Sequence, residues 1–160
     1  MKKLKLYIET STWNFVFADD APEKMTLTKD FFNGLEQGMY GIYASDIVLL
    51  EIGKASDPIR KRLRSLFDQY KPIMLESSAE AEILAELYLE RGAVPPKKLE
   101  DALHVAIATV AEMDALVTWN YKHLANLKRS EFFHSINLEQ GYHKKLEIVT
   151  PMEVMGDEIR

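Results

Sequence analysis

The sequence predicts an α/β protein, a three-layer α/β/α sandwich with a mostly parallel central sheet of about five strands. Short apolar runs recur at Lys5–Glu9, Tyr40–Ala44, Pro72–Leu75, Ala115–Thr118 and Leu146–Thr150, and stretches with helical spacing fill the gaps between them. Strands separated by helices cannot pair as tight hairpins, so the chain must cross over and return parallel, with helices covering both sheet faces. The 160 residues contain no repeat and no low-complexity run, which suits one domain over 1–160, its tail frayed from about position 156.

Lys5–Glu9 places Leu6 and Ile8 around Tyr7 and reads as a buried first strand. Thr10, Ser11 and Thr12 follow as caps for a helix starting near Trp13, which Asp19–Pro22 breaks. Glu23–Gln37 carries Met25, Leu27, Phe31, Phe32 and Leu35 near helical spacing, and Gly38 ends it. After Tyr40–Ala44, Ser45 and Asp46 cap a helix that runs to Gly53. Ser56, Asp57 and Pro58 open the next by the cap-then-proline signal. Pro72–Leu75 is the third strand, and Ser77 and Ser78 begin an acidic helix that Gly92 stops. Pro95 and Pro96 lead into an almost wholly apolar helix, Ala102–Ala111. Ala115–Thr118 is the fourth strand. A short helix over Asn120–Leu127, an interrupted helix over Ser130–Tyr142, the strand Leu146–Thr150 and a turn at Pro151–Val154 complete the chain.

Composition excludes several chemistries. The chain lacks cysteine, so disulfides, thiolate metal sites and cysteine nucleophiles are out. No apolar run spans a membrane and the start Met1–Ser11 lacks a signal-peptide pattern, so a cytoplasmic protein is expected. The net charge of −5 counts mildly against a general nucleic-acid binder without excluding a basic patch. No GxxxxGK[ST] loop, GxGxxG or GxSxG elbow is present, which argues against NTPase, dinucleotide or esterase chemistry.

Four polar residues stand where α/β proteins bind ligands, at or beyond the carboxyl ends of strands. Glu9 ends the first strand, as a helix cap or as a functional carboxylate. Glu51 lies on an apolar helix, either reaching solvent or facing a group that needs it. Asp101 sits in the first turn of the apolar helix, where Glu100 already suits the dipole. Asn120 follows the fourth strand as a turn residue or a ligand. His104 is three residues from Asp101, a zinc-like spacing without a visible third ligand, and is read as a packing histidine. An oxygen-rich set of this kind holds Mg²⁺ or Mn²⁺ and serves phosphodiester hydrolysis.

The motifs YIETS at Tyr7–Ser11, SDIVLLE at Ser45–Glu51, EDALHVAIA at Glu100–Ala108, DALVTWN at Asp114–Asn120 and LEIVTPMEV at Leu146–Val154 resemble, in order and spacing, the PIN-domain family. The likeness is to the toxin ribonucleases of VapBC-type toxin–antitoxin pairs in particular. It implies a PIN-like fold and a metal-dependent endoribonuclease. Glu9, Glu51, Asp101 and Asn120 would be both catalytic and metal-binding, with Mg²⁺ or Mn²⁺ as cofactor. Ser11, Thr118 and Asn126 would support them, and Lys122 and His123 would meet RNA phosphates. An antitoxin protein and a homodimer are the implied partners, with no membrane. Two positions depart from the family. Glu9 stands where Asp is usual and is one methylene longer. Asn120 stands where Asp is frequent and offers a neutral oxygen. These departures motivate the alternative of a catalytically weakened module that binds RNA or protein without cutting. Asp114 lies at the far end of the fourth strand, roughly 13 Å from the site edge at strand rise, and is not counted as a ligand. Arg60, Lys61, Arg62 and Arg64 read as a solvated helix face.

Overall fold

The computed structural model describes residues 2–156. The expected fraying at the tail falls on 157–160, outside the described residues. Five strands form the sheet: β1 (Leu4–Ile8), β2 (Tyr40–Ser45), β3 (Ile73–Leu75), β4 (Ala115–Val117) and β5 (Glu147–Val149). Their spatial order is β3-β2-β1-β4-β5, and every neighbouring pair is parallel. The helices are α1 (Thr10–Phe15), α2 (Pro22–Leu35), α3 (Asp46–Gly53), α4 (Asp57–Tyr70), α5 (Ala79–Glu90), α6 (Leu99–Val110), α7 (Leu127–Glu139) and α8 (Pro151–Met155). The three-layer α/β/α arrangement expected from the alternation is the one found.

Strand order fixes where a site can form. From β1 the chain builds outward through β2 to β3, then returns to the other side of β1 for β4 and β5. The direction of winding reverses between β1 and β4. At such a switch point the crossover helices on the two sides diverge and leave a crevice at the carboxyl ends of the strands. Backbone pairing continues past both strands: Glu9 N–H donates to Val117 O at 3.0 Å and Thr118 N–H to Val149 O at 2.9 Å. Glu9 and Thr118 are thereby fixed side by side at the crevice.

Four local expectations are corrected. Helix α1 begins at Thr10, not near Trp13, because Ser11 and Thr12 do not cap. Their hydroxyls leave for tertiary partners, Ser11 donating to Glu9 Oε1 at 2.6 Å and Thr12 to Val117 O at 3.0 Å. No helix covers Asn120–Leu127. Asn120 Oδ1 accepts from His123 N–H, Asn126 Nδ2 donates to the carbonyls of Tyr121 and Lys122, and the Asn120 carbonyl accepts from both Leu124 and Ala125 N–H, so the segment closes as a turn braced by side chains. Helix α7 then starts at Leu127, capped by Asn126 Oδ1 accepting from Arg129 N–H at 2.9 Å, and runs to Glu139 as one continuous helix. Pro151–Met155 is a helix rather than a turn, closed by a reciprocal capping box between Thr150 and Glu153.

The core lies on both sheet faces. Helix α6 is buried continuously from Ala102 to Thr109, as its composition foretold. On α1, Trp13 is fully buried between Phe32 and Phe67, ring centroids 5.0 and 4.3 Å away, and its indole N–H donates to Ile8 O at 2.9 Å. One residue thus ties β1, α2 and α4 to the helix that follows Glu9.

Candidate metal centre

Glu9 occupies the N-cap position of α1 in an extended conformation, yet its side chain makes no capping bond. Its Oε1 instead accepts from Ser11 Oγ at 2.6 Å and Thr118 Oγ1 at 2.5 Å. Ser11 and Thr118 are 3.2 Å apart, and Ser11 Oγ also accepts from Trp119 N–H at 2.9 Å. Short hydroxyl donors on one carboxylate oxygen fix its orientation and compensate its burial, since only 4% of Glu9 is exposed. The other oxygen, Oε2, lies 4.0 Å from His104 Nε2.

Glu51 reaches the same place from α3. Its Oε1 accepts from Thr10 Oγ1 at 2.8 Å and is in close contact with His104 Nε2. Of the two readings open for this residue, the contact with a group that needs it is the one realised. Burial pushes the Glu51 carboxyl up, but the hydrogen bond and charge of His104, with the Thr10 hydroxyl, outweigh burial and hold it below the ordinary value. Burial likewise pushes the His104 imidazole down, but its bond to Glu51 and the fields of Glu9, Glu51 and Asp101 prevail and raise it. Behind the ring, Nδ1 lies 2.6 Å from Tyr7 OH, which lies 2.7 Å from Ser45 Oγ. Desolvation first, with the nearby acids Glu9, Glu51 and Asp46, keeps the Tyr7 phenol well above its ordinary value and so neutral.

Asp101, in the first turn of α6, is partly exposed and belongs to a neighbouring cluster. Its Oδ2 accepts from Asn120 Nδ2 at 3.4 Å and meets His123 Nδ1 at 3.2 Å. One ligand atom from each of Glu9, Glu51 and His104 lies within 4.8 Å of the others, and Asp101 stands beside this group on the same helix as His104. A sphere of ligands at about 2.1 Å spans about 4.2 Å, so these donors suit a divalent cation with small inward shifts. The Glu9 and Glu51 carboxylates supply the compensating charge, with Asp101 nearby on α6.

Similarities to known proteins are structural. No family model and no curated protein matches the sequence. Among solved structures, Mycobacterium tuberculosis VapC20, a Sarcin-Ricin loop cleaving toxin, is 16% identical with a TM-score of 0.57, covering 74% of this chain and 92% of its own. VapBC2 from Rickettsia felis, bound to a DNA fragment from their promoter, is 17% identical with a TM-score of 0.54 over 91% of this chain and 98% of that one. FitAB bound to an IR36 DNA fragment is 12% identical with a TM-score of 0.56 over 91% and 94%. The chain has the PIN-like fold of the VapC toxins. At these identities the likeness establishes architecture.

Within the PIN-like fold, the candidate residues separate by contact. Glu9, Ser11, Thr118 and Glu51 gather at the switch point, Ser11 and Thr118 directly on Glu9 and Glu51 beside it at His104, while Asp101 stands next to them with Asn120 and His123. Asn120 also comes to this edge, but its oxygen is taken by His123 N–H at 3.0 Å and its amide nitrogen faces Asp101. Asn120 therefore orients Asp101 and stabilises a turn, and its oxygen is not turned to the carboxylates. Asn126 braces the backbone of 121–122 and caps α7 without touching a site carboxylate. His123 contacts Asp101, and Lys122 is exposed on the same turn. Asp114 lies at the opposite strand end, bound to Lys5 N–H at 2.7 Å and Lys144 at 2.9 Å, as expected of a residue outside the site. On α4, Arg60 pairs with Asp57 and Arg62 lies over Phe17 at 5.9 Å, uses that keep the stripe local. The residue that sequence reasoning passed over is His104. Its spacing from Asp101 was visible, but the partners that explain it, Glu9 and Glu51, are remote in sequence.

Proposed function

We propose that this protein is a divalent-metal-dependent endoribonuclease that hydrolyses RNA phosphodiester bonds, and that it is the toxin of a toxin–antitoxin pair acting in the cytoplasm. The supporting observation is the convergence of Glu9 and Glu51 from the first third of the chain with His104 of α6 at the switch point of a PIN-like sheet, Asp101 standing three residues before His104 on that helix. Glu9, Glu51 and Asp101 would hold Mg²⁺ or Mn²⁺. The bound ion would neutralise phosphate charge and make water a stronger nucleophile at neutral pH. Ser11, Thr118 and Thr10 keep the carboxylates aimed, a positioning role that limits reorganisation during reaction. Asn120 and His123 hold Asp101 from the turn after β4, and Lys122 on that turn meets the RNA backbone. An antitoxin partner is supported by the VapBC and FitAB assemblies that share the fold. A homodimer accords with the same resemblance.

Incubation of purified protein with mixed RNAs tests the reading. Cleavage that requires Mg²⁺ or Mn²⁺, stops with chelator and disappears in Asp101→Ala is the expected result. Cleavage that persists in Asp101→Ala, or that ignores chelator, overturns it. A second reading, a module that binds RNA or protein without cutting, is favoured by one observation, the Asn120 oxygen being engaged by backbone rather than offered to an ion. RNA bound but left intact by the wild-type protein at saturating Mn²⁺ selects that reading.

A further inference from the structure

His104 is not explained by packing. It is fully buried, as are Tyr7 and Ser45, and the three form a continuous polar chain from the interior to the two glutamates. Buried polar chains are costly unless every member is satisfied. Tyr7 OH lies 2.7 Å from Ser45 Oγ, which accepts from Val48 N–H at 3.4 Å, and 2.6 Å from His104 Nδ1 on its other side. With Nδ1 held by Tyr7, Nε2 is the ring nitrogen turned to Glu51 and Glu9. One ligand atom from each of Glu9, Glu51 and His104 lies within 4.8 Å of the others, so an ion taking the place of the Nε2 proton would find all three donors at hand. A second group holding the remote ring nitrogen is also the usual way a metal-binding imidazole is oriented.

We infer that His104 Nε2 is a third inner ligand beside Glu9 and Glu51, so that the centre takes a first-row transition ion such as Mn²⁺ in preference to Mg²⁺. The inference rests on the metal-dependent reading above and specifies its ion. Donor chemistry gives the selectivity: Mg²⁺ favours oxygen and sheds water reluctantly, whereas imidazole nitrogen suits transition ions. Tyr7 and Ser45 act as positioning residues through the ring.

Pulsed electron paramagnetic resonance of the Mn²⁺-loaded full chain reads the bond directly. The expected spectrum shows nitrogen coupling from a bound imidazole, with the isotope pattern changing when histidine is ¹⁵N-labelled. The coupling persists in His123→Gln and vanishes in His104→Gln. In calorimetry, His104→Gln is expected to weaken Mn²⁺ about 10- to 100-fold, the range seen when a metal site loses one supporting group, and Mg²⁺ much less. The labelled wild-type spectrum together with that of His123→Gln decides the matter even if His104→Gln does not fold. Mn²⁺ bound without nitrogen coupling, coupling lost in His123→Gln, or equal losses for both ions overturns the inference and leaves the nuclease reading standing. Coupling without RNA cleavage upholds the ligand and removes the nuclease. No Mn²⁺ binding overturns the inference, and if Mg²⁺ does not bind either, the nuclease reading falls as well.

Discussion

At the scale of single residues, the site is a problem of buried charge. Glu9 is one methylene longer than the aspartate of related motifs, and it spends that length in reaching two hydroxyls at 2.6 and 2.5 Å. Thr118 matters most here, because it is fully buried and also accepts from Asn120 N–H at 3.0 Å. Thr118→Val keeps the shape and removes both bonds. The expected cost is about 1–3 kcal/mol, the range for a buried polar group left unpaired, measured as a lower urea midpoint with unchanged slope. Divalent-ion binding should weaken in parallel, because Glu9 loses one of its two anchors. An unchanged midpoint would show that Ser11 alone suffices. His104 illustrates the limit of reading one residue at a time. On an apolar helix a histidine looks like core, and its function is set by glutamates about fifty and ninety-five positions earlier in the chain.

At the scale of elements, the turn after β4 does more than connect. Asn120 and Asn126 close it from its two ends, one accepting from His123 N–H and the other donating to two carbonyls while capping α7. Fully buried Leu124 anchors it between them. This construction holds His123 against Asp101 without a regular helix. Asn126→Ala is expected to cost about 1 kcal/mol for the lost cap alone, and more as the two carbonyls lose their donor. Thermal denaturation measures the total, and hydrogen exchange should show faster opening in 121–130. Asn126→Asp keeps the cap and loses the donor, so the difference between the two variants isolates the cap, and the difference between Asn126→Asp and the wild type isolates the turn. Equal behaviour of Asp and Ala would mean that the cap contributes nothing.

At the scale of the whole molecule, stability and site geometry share one anchor. Trp13 packs against Phe32 and Phe67 and bonds Ile8 O at the end of β1, immediately behind Glu9. Trp13→Ala is expected to cost about 3–5 kcal/mol, a large fraction of a domain's total stability, and to lower the thermal midpoint by several degrees or more. Because α1 carries Thr10 and Ser11, the variant should also loosen Mn²⁺ binding at temperatures where it remains folded. A loss below about 1 kcal/mol would mean that neighbouring aromatics collapse into the space.

Much of this was legible in the chain. Apolar runs of strand length between helical stretches determined an α/β sandwich, because parallel strands need crossovers and crossovers cover both faces. The Pro95–Pro96 step and the apolar face after it determined α6, and Asp101 was marked by a first turn that did not need a second carboxylate. Local polar chemistry misled in two places, α1 and the 120–126 turn, where hydroxyl and amide side chains had tertiary partners that a linear reading cannot supply. Strand order was decided only by the tertiary structure. By bringing β1 beside β4, it joined Glu9 to Thr118 across more than a hundred residues and set Glu51 against His104. Where the Asn120 oxygen is engaged, and which nitrogen of His104 faces the carboxylates, follow from such contacts. Sequence supplies the donors, but only long-range packing decides which of them meet.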